Sequence, residues 1–417
     1  MVLKITKDLP YQILFALCVL VTYLNIYELT FLVWAITLAI SFRKRYSVTI
    51  FKYVMCFVGI FVIAFIVAFF RDQNTYNYIR DITYLVKPIL GLLVGYQLCR
   101  SHDIKPFQTI LYTGLLISSI HLFIIFYSAI AYRIINIHDL RFYGGYFGDF
   151  EFYALLIAIF NKELEVPLTK KAKRYILLVI GLSAFFYLSR INFIQFAILY
   201  LVMKGYFRLT TRNIIVMGSM LVVLGAGYSI IYNMHLTRNG KGVEAFLYKI
   251  KNAPIEAFKT KINKDDYEDF NDNYRSYENL VTVRQVAYEG TSAILFGKGM
   301  GATIDLGMEI WTNDLEFIRY IPVLHNGLMT VYLKSGFVGV FLNLAFLYFL
   351  YRQRKSDIPL VQNINLFLMG TAIYLLFANW VLLGLYLKTD SKSIIIGFIL
   401  CYKEIVTRKY LASNAEN

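Results

Sequence analysis

His325 and Asn326, in the stretch Val323-Leu-His-Asn-Gly-Leu328, stand where a polar stretch of the chain gives way to an apolar run. An imidazole ordinarily titrates near neutrality, at about 6.5, so a histidine at such a boundary suits proton transfer at a membrane surface. A lone interfacial histidine is more often without duty, so weight falls on the other ionisable groups in unusual places. Lys87 lies inside the apolar run Ile82-Thr-Tyr-Leu-Val-Lys-Pro-Ile-Leu90, about 8 Å from its end at 1.5 Å per residue. At that depth it either faces an anionic headgroup or substrate, or snorkels to the surface. Arg141 is the single arginine of the loop Asp139-Leu-Arg-Phe-Tyr-Gly-Gly-Tyr-Phe-Gly-Asp-Phe-Glu151. Paired glycines and an arginine suit phosphate, and aromatic-rich loops also serve as plain interfacial belts. Arg190 sits in the tight turn Tyr187-Leu-Ser-Arg-Ile-Asn-Phe193 between two apolar runs, where a bound anion would offset the cost of its burial. Arg284 lies ahead of the turn Gly297-Lys-Gly-Met-Gly301.

The elements that must position these groups are membrane spans. The 417-residue chain is 58% hydrophobic and 17% charged, and apolar runs recur from end to end, so it reads as one membrane domain over 1–417. The formal charge of +15 would suggest nucleic acid in a soluble protein; here the positive-inside rule accounts for it and no nucleic-acid partner is expected. With the N-terminus in the cytoplasm, about twelve spans fit between residues 11 and 403, and nearly all the excess charge falls on the cytoplasmic side. Clusters such as Arg43-Lys-Arg45 and Lys170-Lys171 then lie inside. The expected fold is all-α and polytopic, with one long outer loop, 233–322, between the ninth and tenth spans and containing short helices. Lys4 and Lys7 precede the first apolar run with no small-residue cleavage site after it, which reads as an uncleaved anchor. Cys18, Cys56, Cys99 and Cys401 have no disulfide or metal spacing and read as structural thiols.

Within the long loop, an amphipathic helix is expected over 242–252 and a second over 277–293. The 3.6-residue period of the latter puts Leu280, Val281, Arg284 and Tyr288 on one packed face. The Gly297–Gly301 turn has no preceding strand and no Lys-Ser/Thr, so it is neither a dinucleotide nor a P-loop signature. Residues 326–335 make one short helix before Gly336 opens the next span. His121, deep in an apolar run, is expected to hydrogen-bond a neighbouring helix. No cofactor is implied, and no residue cluster demands a metal; Asp265-Asp266 lies in an acidic loop.

Four elements then fall in a characteristic order: an Arg-x-x-Gly loop, Ser189-Arg190 opening a later span, Arg284 ahead of Gly-x-Gly-x-Gly, and His325-Asn326 with Gly336-Phe-Val-Gly339. Over roughly 141–350 this resembles the O-antigen polymerase and O-antigen ligase family of bacterial envelope polysaccharide assembly. The resemblance implies a metal-independent glycosyltransferase in the cytoplasmic membrane, acting on its outer face on an undecaprenyl-diphosphate-linked glycan. By that resemblance Arg141, Arg190 and Arg284 would serve the diphosphate and His325 the acceptor hydroxyl; Lys87, by its own place in the apolar run, is read as a further diphosphate-binding candidate. Membrane lipid and a chain-length regulator are the other partners it brings to mind. Where many members carry Pro-Asn after the glycine loop, this chain has Asp149-Phe-Glu151, which makes Glu151 a rival general base. A polymerase is the expectation; the alternatives are a ligase transferring the glycan to a lipid A–core acceptor, and a glycan transporter. Against the transporter stand the missing two-fold repeat and the long loop.

Overall fold

The computed structural model describes residues 8–42, 46–71, 74–100, 104–134, 140, 143–144, 148–187, 189–207, 210–237, 243–256, 259–311 and 317–415. Arg141, Lys4, Lys7 and the cluster Arg43-Lys-Arg45 lie outside them. The chain is mostly helical. The helices are α1 (Leu9–Leu20), α2 (Tyr27–Ile40), α3 (Val48–Phe69), α4 (Thr75–Arg100), α5 (Pro106–Ala131), α6 (Phe150–Ile159), α7 (Lys170–Phe186) and α8 (Arg190–Met203). After α9 (Thr211–Asn233) come the shorter α10 (Val243–Glu256), α11 (Tyr267–Asp272), α12 (Tyr274–Tyr288) and α13 (Thr291–Phe296). Two strands follow, β1 (Ile304–Trp311) and β2 (Phe317–Ile321), then α14 (Gly327–Tyr351), α15 (Pro359–Val381) and α16 (Lys392–Ala415).

Among the described residues six helices, α3, α4, α5, α9, α14 and α15, are long and apolar enough to cross a membrane. The protein is membrane-embedded. Of the other expected spans, α1, α2, α6 and α8 are apolar but short: α6 has 10 residues, about 15 Å of helix against a hydrocarbon core of about 30 Å. Composition shows which segments avoid water, and length decides which of them can cross.

Helix starts follow local chemistry. Ser47, Thr169 and Thr210 accept hydrogen bonds from the backbone N–H of Thr49, Ala172 and Asn213, and Pro106 and Pro359 occupy first-turn positions that need no donor. α4 and α16 pack backbone to backbone. Gly95 on α4 and Gly397 on α16 leave room for this: a Cβ at Gly95 would meet the Ile394 carbonyl, and one at Gly397 that of Leu92, while one at Gly91 would meet the Ser393 and Trp34 side chains. In a bilayer, where apolar burial gives helices little preference for one another over lipid, such close approach supplies the packing. α9 has no buried residue.

A second, smaller core joins α11, α12, α13, the two strands and the first turns of α14, through Phe270, Tyr277, Val286, Ala293, Ile304, Leu306, Ile321, Leu324, Tyr332 and Leu333. β1 and β2 pair antiparallel, with Ile304 opposite Ile321 and Trp311 opposite Phe317. The hairpin is an exception to the all-α expectation. Its signal stands in the sequence: Ile304-Asp-Leu-Gly-Met-Glu-Ile310 alternates apolar with other residues at period two, the pattern of a strand with one face buried.

Candidate functional site: a histidine on a buried carboxylate

β2 ends at Ile321, and four residues later His325 precedes α14. Asn326 caps that helix, its Oδ1 accepting from Met329 N–H at 3.0 Å. Thr330 Oγ1 accepts from Leu324 N–H (3.1 Å) and donates to the Asn326 carbonyl (3.0 Å), which fixes the turn on both sides of the histidine. His325 itself is held by Glu278 of α12. The carboxylate accepts from the His325 backbone N–H at 3.1 Å and lies 3.0 Å from Nδ1. The histidine side chain is 52% exposed and the glutamate 1%. Tyr274 meets the imidazole edge-on, with ring centroids 5.6 Å apart. Burial and the adjacent Glu278 carboxylate push the Tyr274 phenol well above its ordinary range. A carboxylate on Nδ1 favours the tautomer with the proton there, so Nε2 is left as the acceptor. Such a ring can take a proton from a group arriving from water.

The two glycine signals of the sequence form one joint beneath this histidine. α14 is interrupted at Gly336, whose φ of 62° and ψ of −161° no helix contains. The break frees carbonyls of the preceding turn, and two of them are claimed by the glycine turn: Lys298 N–H donates to Leu333 (2.7 Å) and Gly299 N–H to Lys334 (3.1 Å). A Cβ at Gly297 would meet the backbone of Lys334 and Ser335, and one at Gly336 the backbone of Leu295 and Phe296. Met300 N–H donates to Ala64 of α3 at 3.0 Å. Lys334 is buried and pairs with buried Asp81 of α4, which also accepts from Gly301 N–H at 2.7 Å; Lys334 Nζ reaches the Ala302 carbonyl at 2.6 Å. Arg71 and Lys298 both bind Glu289, tying the end of α3 to the end of α12. Burial raises the Glu289 carboxyl, but the hydrogen bonds from Arg71 and Lys298 outweigh it and hold the group below its usual range.

No protein-family model and no curated protein matches this chain.

His325 hydrogen-bonds Glu278 and meets Tyr274 edge-on, and among the described residues it makes no hydrogen bond or ion pair with Lys87, Glu151, Arg190 or Arg284. Arg284 corrects an expectation: it lies on the exposed side of α12, and Tyr288 is 93% exposed. The buried face runs through Glu278, Thr282 and Val286 instead, spaced four residues apart. Its carboxylate and hydroxyl lower its apolar signal, which is why the face and Glu278 went unread. Arg284 makes no hydrogen bond or ion pair among the described residues. Arg190 opens α8 and donates from Nη1 to the Lys249 carbonyl of α10 at 2.9 Å. Lys87 neither snorkels nor meets solvent: it is buried, and its Nζ donates to the carbonyls of Leu387, Lys388 (2.9 Å) and Asp390 (2.8 Å) in the turn before α16. Its place fits that of a structural cap. Glu151, at the start of α6, is fully buried and accepts from Ser183 Oγ at 3.0 Å. His121 is bound to a neighbouring helix as expected, its Nδ1 2.7 Å from that same Ser183 hydroxyl.

Proposed function

We propose that this chain is a membrane glycosyltransferase that joins undecaprenyl-diphosphate-linked oligosaccharide repeats into a surface polysaccharide on the outer face of the cytoplasmic membrane. The observation that carries the reading is the half-exposed His325 imidazole with Nδ1 on the buried Glu278 carboxylate, at the seam where the family resemblance sets the acceptor. The acceptor hydroxyl oxygen attacks the anomeric carbon, and His325 Nε2 takes its proton. The bond from that carbon to the diphosphate oxygen breaks, and the lipid diphosphate leaves with the electron pair. Guanidinium forks stabilise the growing charge better than lysine does. Arg284, exposed and unbound among the described residues, is able to turn to an anion. Arg190 and Arg141 keep the role the resemblance gives them. The base role goes to His325 rather than Glu151, because a sealed carboxylate cannot meet an acceptor hydroxyl.

The test uses purified protein in nanodiscs with lipid-linked repeat units as the sole sugar source. Longer lipid-linked glycans and free undecaprenyl diphosphate are expected, with activity retained in excess EDTA. Transfer only after a lipid A–core acceptor is added would make the protein a ligase, and no transfer in either case would end the reading.

A further inference from the structure

Among the described residues, the charges packed around the start of α6 do not balance, and the deficit lies at Glu151. Around the start of α6 and the turn before α16 five ionisable groups are packed together. Lys392 bridges Asp149 and Asp390, and Lys87 is spent on the carbonyls of that same turn. Two cations thus answer two carboxylates. Glu151, with no exposure at all, is the third carboxylate and pairs with no cation among the described residues. Its surroundings are hydroxyls: Ser183 Oγ lies 3.0 and 3.2 Å from its two oxygens, and the buried Ser118 and Tyr187 hydroxyls face it.

The groups facing Glu151 come from each element around it. α5 presents Ser118 and His121; α7 and the residue that ends it present Ser183 and Tyr187, the latter stacked on His121 with centroids 4.1 Å apart. The turn after α1 brings Tyr23, and the residue before α6 is Asp149, already paired with Lys392. α8 contributes Gln195, an amide bound to the Asp149 carbonyl at 3.2 Å. His121 is the one further base. The positive end of the α6 dipole supplies about half an elementary charge, which is short of what a sealed carboxylate needs.

We infer that Glu151 is a proton-binding site inside the membrane bundle, holding one proton that completes the charge balance of the cluster. A metal ion in that role is disfavoured by contact: Ser183 Oγ touches both carboxyl oxygens directly, at 3.0 and 3.2 Å, and His121 closes the other side of Ser183. The proton resides on the carboxyl rather than on His121, since a neutral acid beside a neutral imidazole avoids two buried charges. Ser183 offers the exchange route. With the carboxyl un-ionised, its O–H donates to Ser183 Oγ and the Ser183 O–H donates to His121 Nδ1; in the minor state both protons shift along these bonds, leaving carboxylate, serine and imidazolium with every proton accounted for. The site is independent of the glycosyl-transfer reading, and its outcome bears on neither His325 nor the arginines.

Infrared spectra of the full-length protein in lipid nanodiscs at neutral pH, native against Glu151→Gln, test it. The difference spectrum should contain the carbonyl stretch of an un-ionised carboxyl and no lost carboxylate bands. Loss of carboxylate bands alone would overturn the inference, and so would native bands that change with sodium concentration. Where the Gln chain does not assemble, Ser118→Ala serves: the un-ionised carbonyl stretch should be present in the native protein and move to higher frequency on loss of that hydroxyl. No un-ionised band in either chain at neutral pH would equally overturn it.

Discussion

His325 and Glu278 touch through Nδ1, with the imidazole half in water; His121 and Glu151 are joined through Ser183, with every member sealed inside the bundle. Residue types are the same in both. The first pair has a fixed carboxylate, a fixed backbone and an open ring nitrogen, which are the requirements of a general base. The second has no route to a substrate, so its polar groups answer only one another. Access to water, rather than the presence of histidine and glutamate, separates a candidate catalytic pair from a buried network.

The widest separation between the two pairs should appear on removing each imidazole. His325→Ala should slow glycosyl transfer about 10²–10⁴-fold, the usual worth of a positioned base, with the thermal midpoint in detergent nearly unchanged. His121→Ala should do the reverse. It leaves Ser183 short of a partner beside a cavity and should cost about 2–4 kcal/mol of stability, while the donor-saturated rate of the folded fraction holds. Exchange of those two phenotypes would break the comparison outright.

The joint that carries the His325 side of the comparison, between α14 and α4, can be tested next. Lys334→Met leaves Asp81 buried with a lone backbone donor, and breaking such a pair costs about 3–5 kcal/mol. Lys334→Met with Asp81→Asn should recover much of that in the unfolding midpoint, because no uncompensated charge remains. Equal loss in the single and double variants would mean that shape, not charge, holds the joint.

The smallest effect belongs to Glu289. Its carboxyl is held below the usual range, so the stability it contributes is present above that range and fades as pH falls through the lowered value. The group is partly exposed, and the effect should stay below about 1 kcal/mol. Glu289→Gln should flatten the acid side of the stability curve by that amount; an unchanged curve would remove the Arg71–Glu289–Lys298 contact from the account.

Much of the architecture was legible in the sequence. Apolar runs marked the long helices, and Gly336 marked the break in α14, because a glycine between a polar turn and an apolar run is a recognisable stop. That the Gly297–Gly301 turn fills the break was not legible, since it depends on which carbonyls the kink exposes. Glu278 was hidden for a different reason. A carboxylate on a buried face contributes nothing to an apolar stripe, so periodicity pointed to Leu280 and Arg284 instead. The role of Lys87 was open between surface and substrate in the sequence because its partners, the carbonyls of 387–390, lie some three hundred residues away. The short helices α1, α2, α6 and α8 have the composition of spans without the length of the six long apolar helices, and composition alone does not show where a helix ends.

The central claim is that His325, oriented by Glu278, accepts the proton of the attacking hydroxyl. The most direct measurement is the pH dependence of glycosyl transfer at saturating lipid-linked donor, for the native protein, His325→Gln and Glu278→Gln. The native rate should fall on the acid side as the imidazole is protonated. His325→Gln should be slower throughout and lack that limb, and Glu278→Gln should keep the limb at a rate about 10- to 100-fold lower. A His325→Gln protein with the native rate and the native acid limb would contradict the claim.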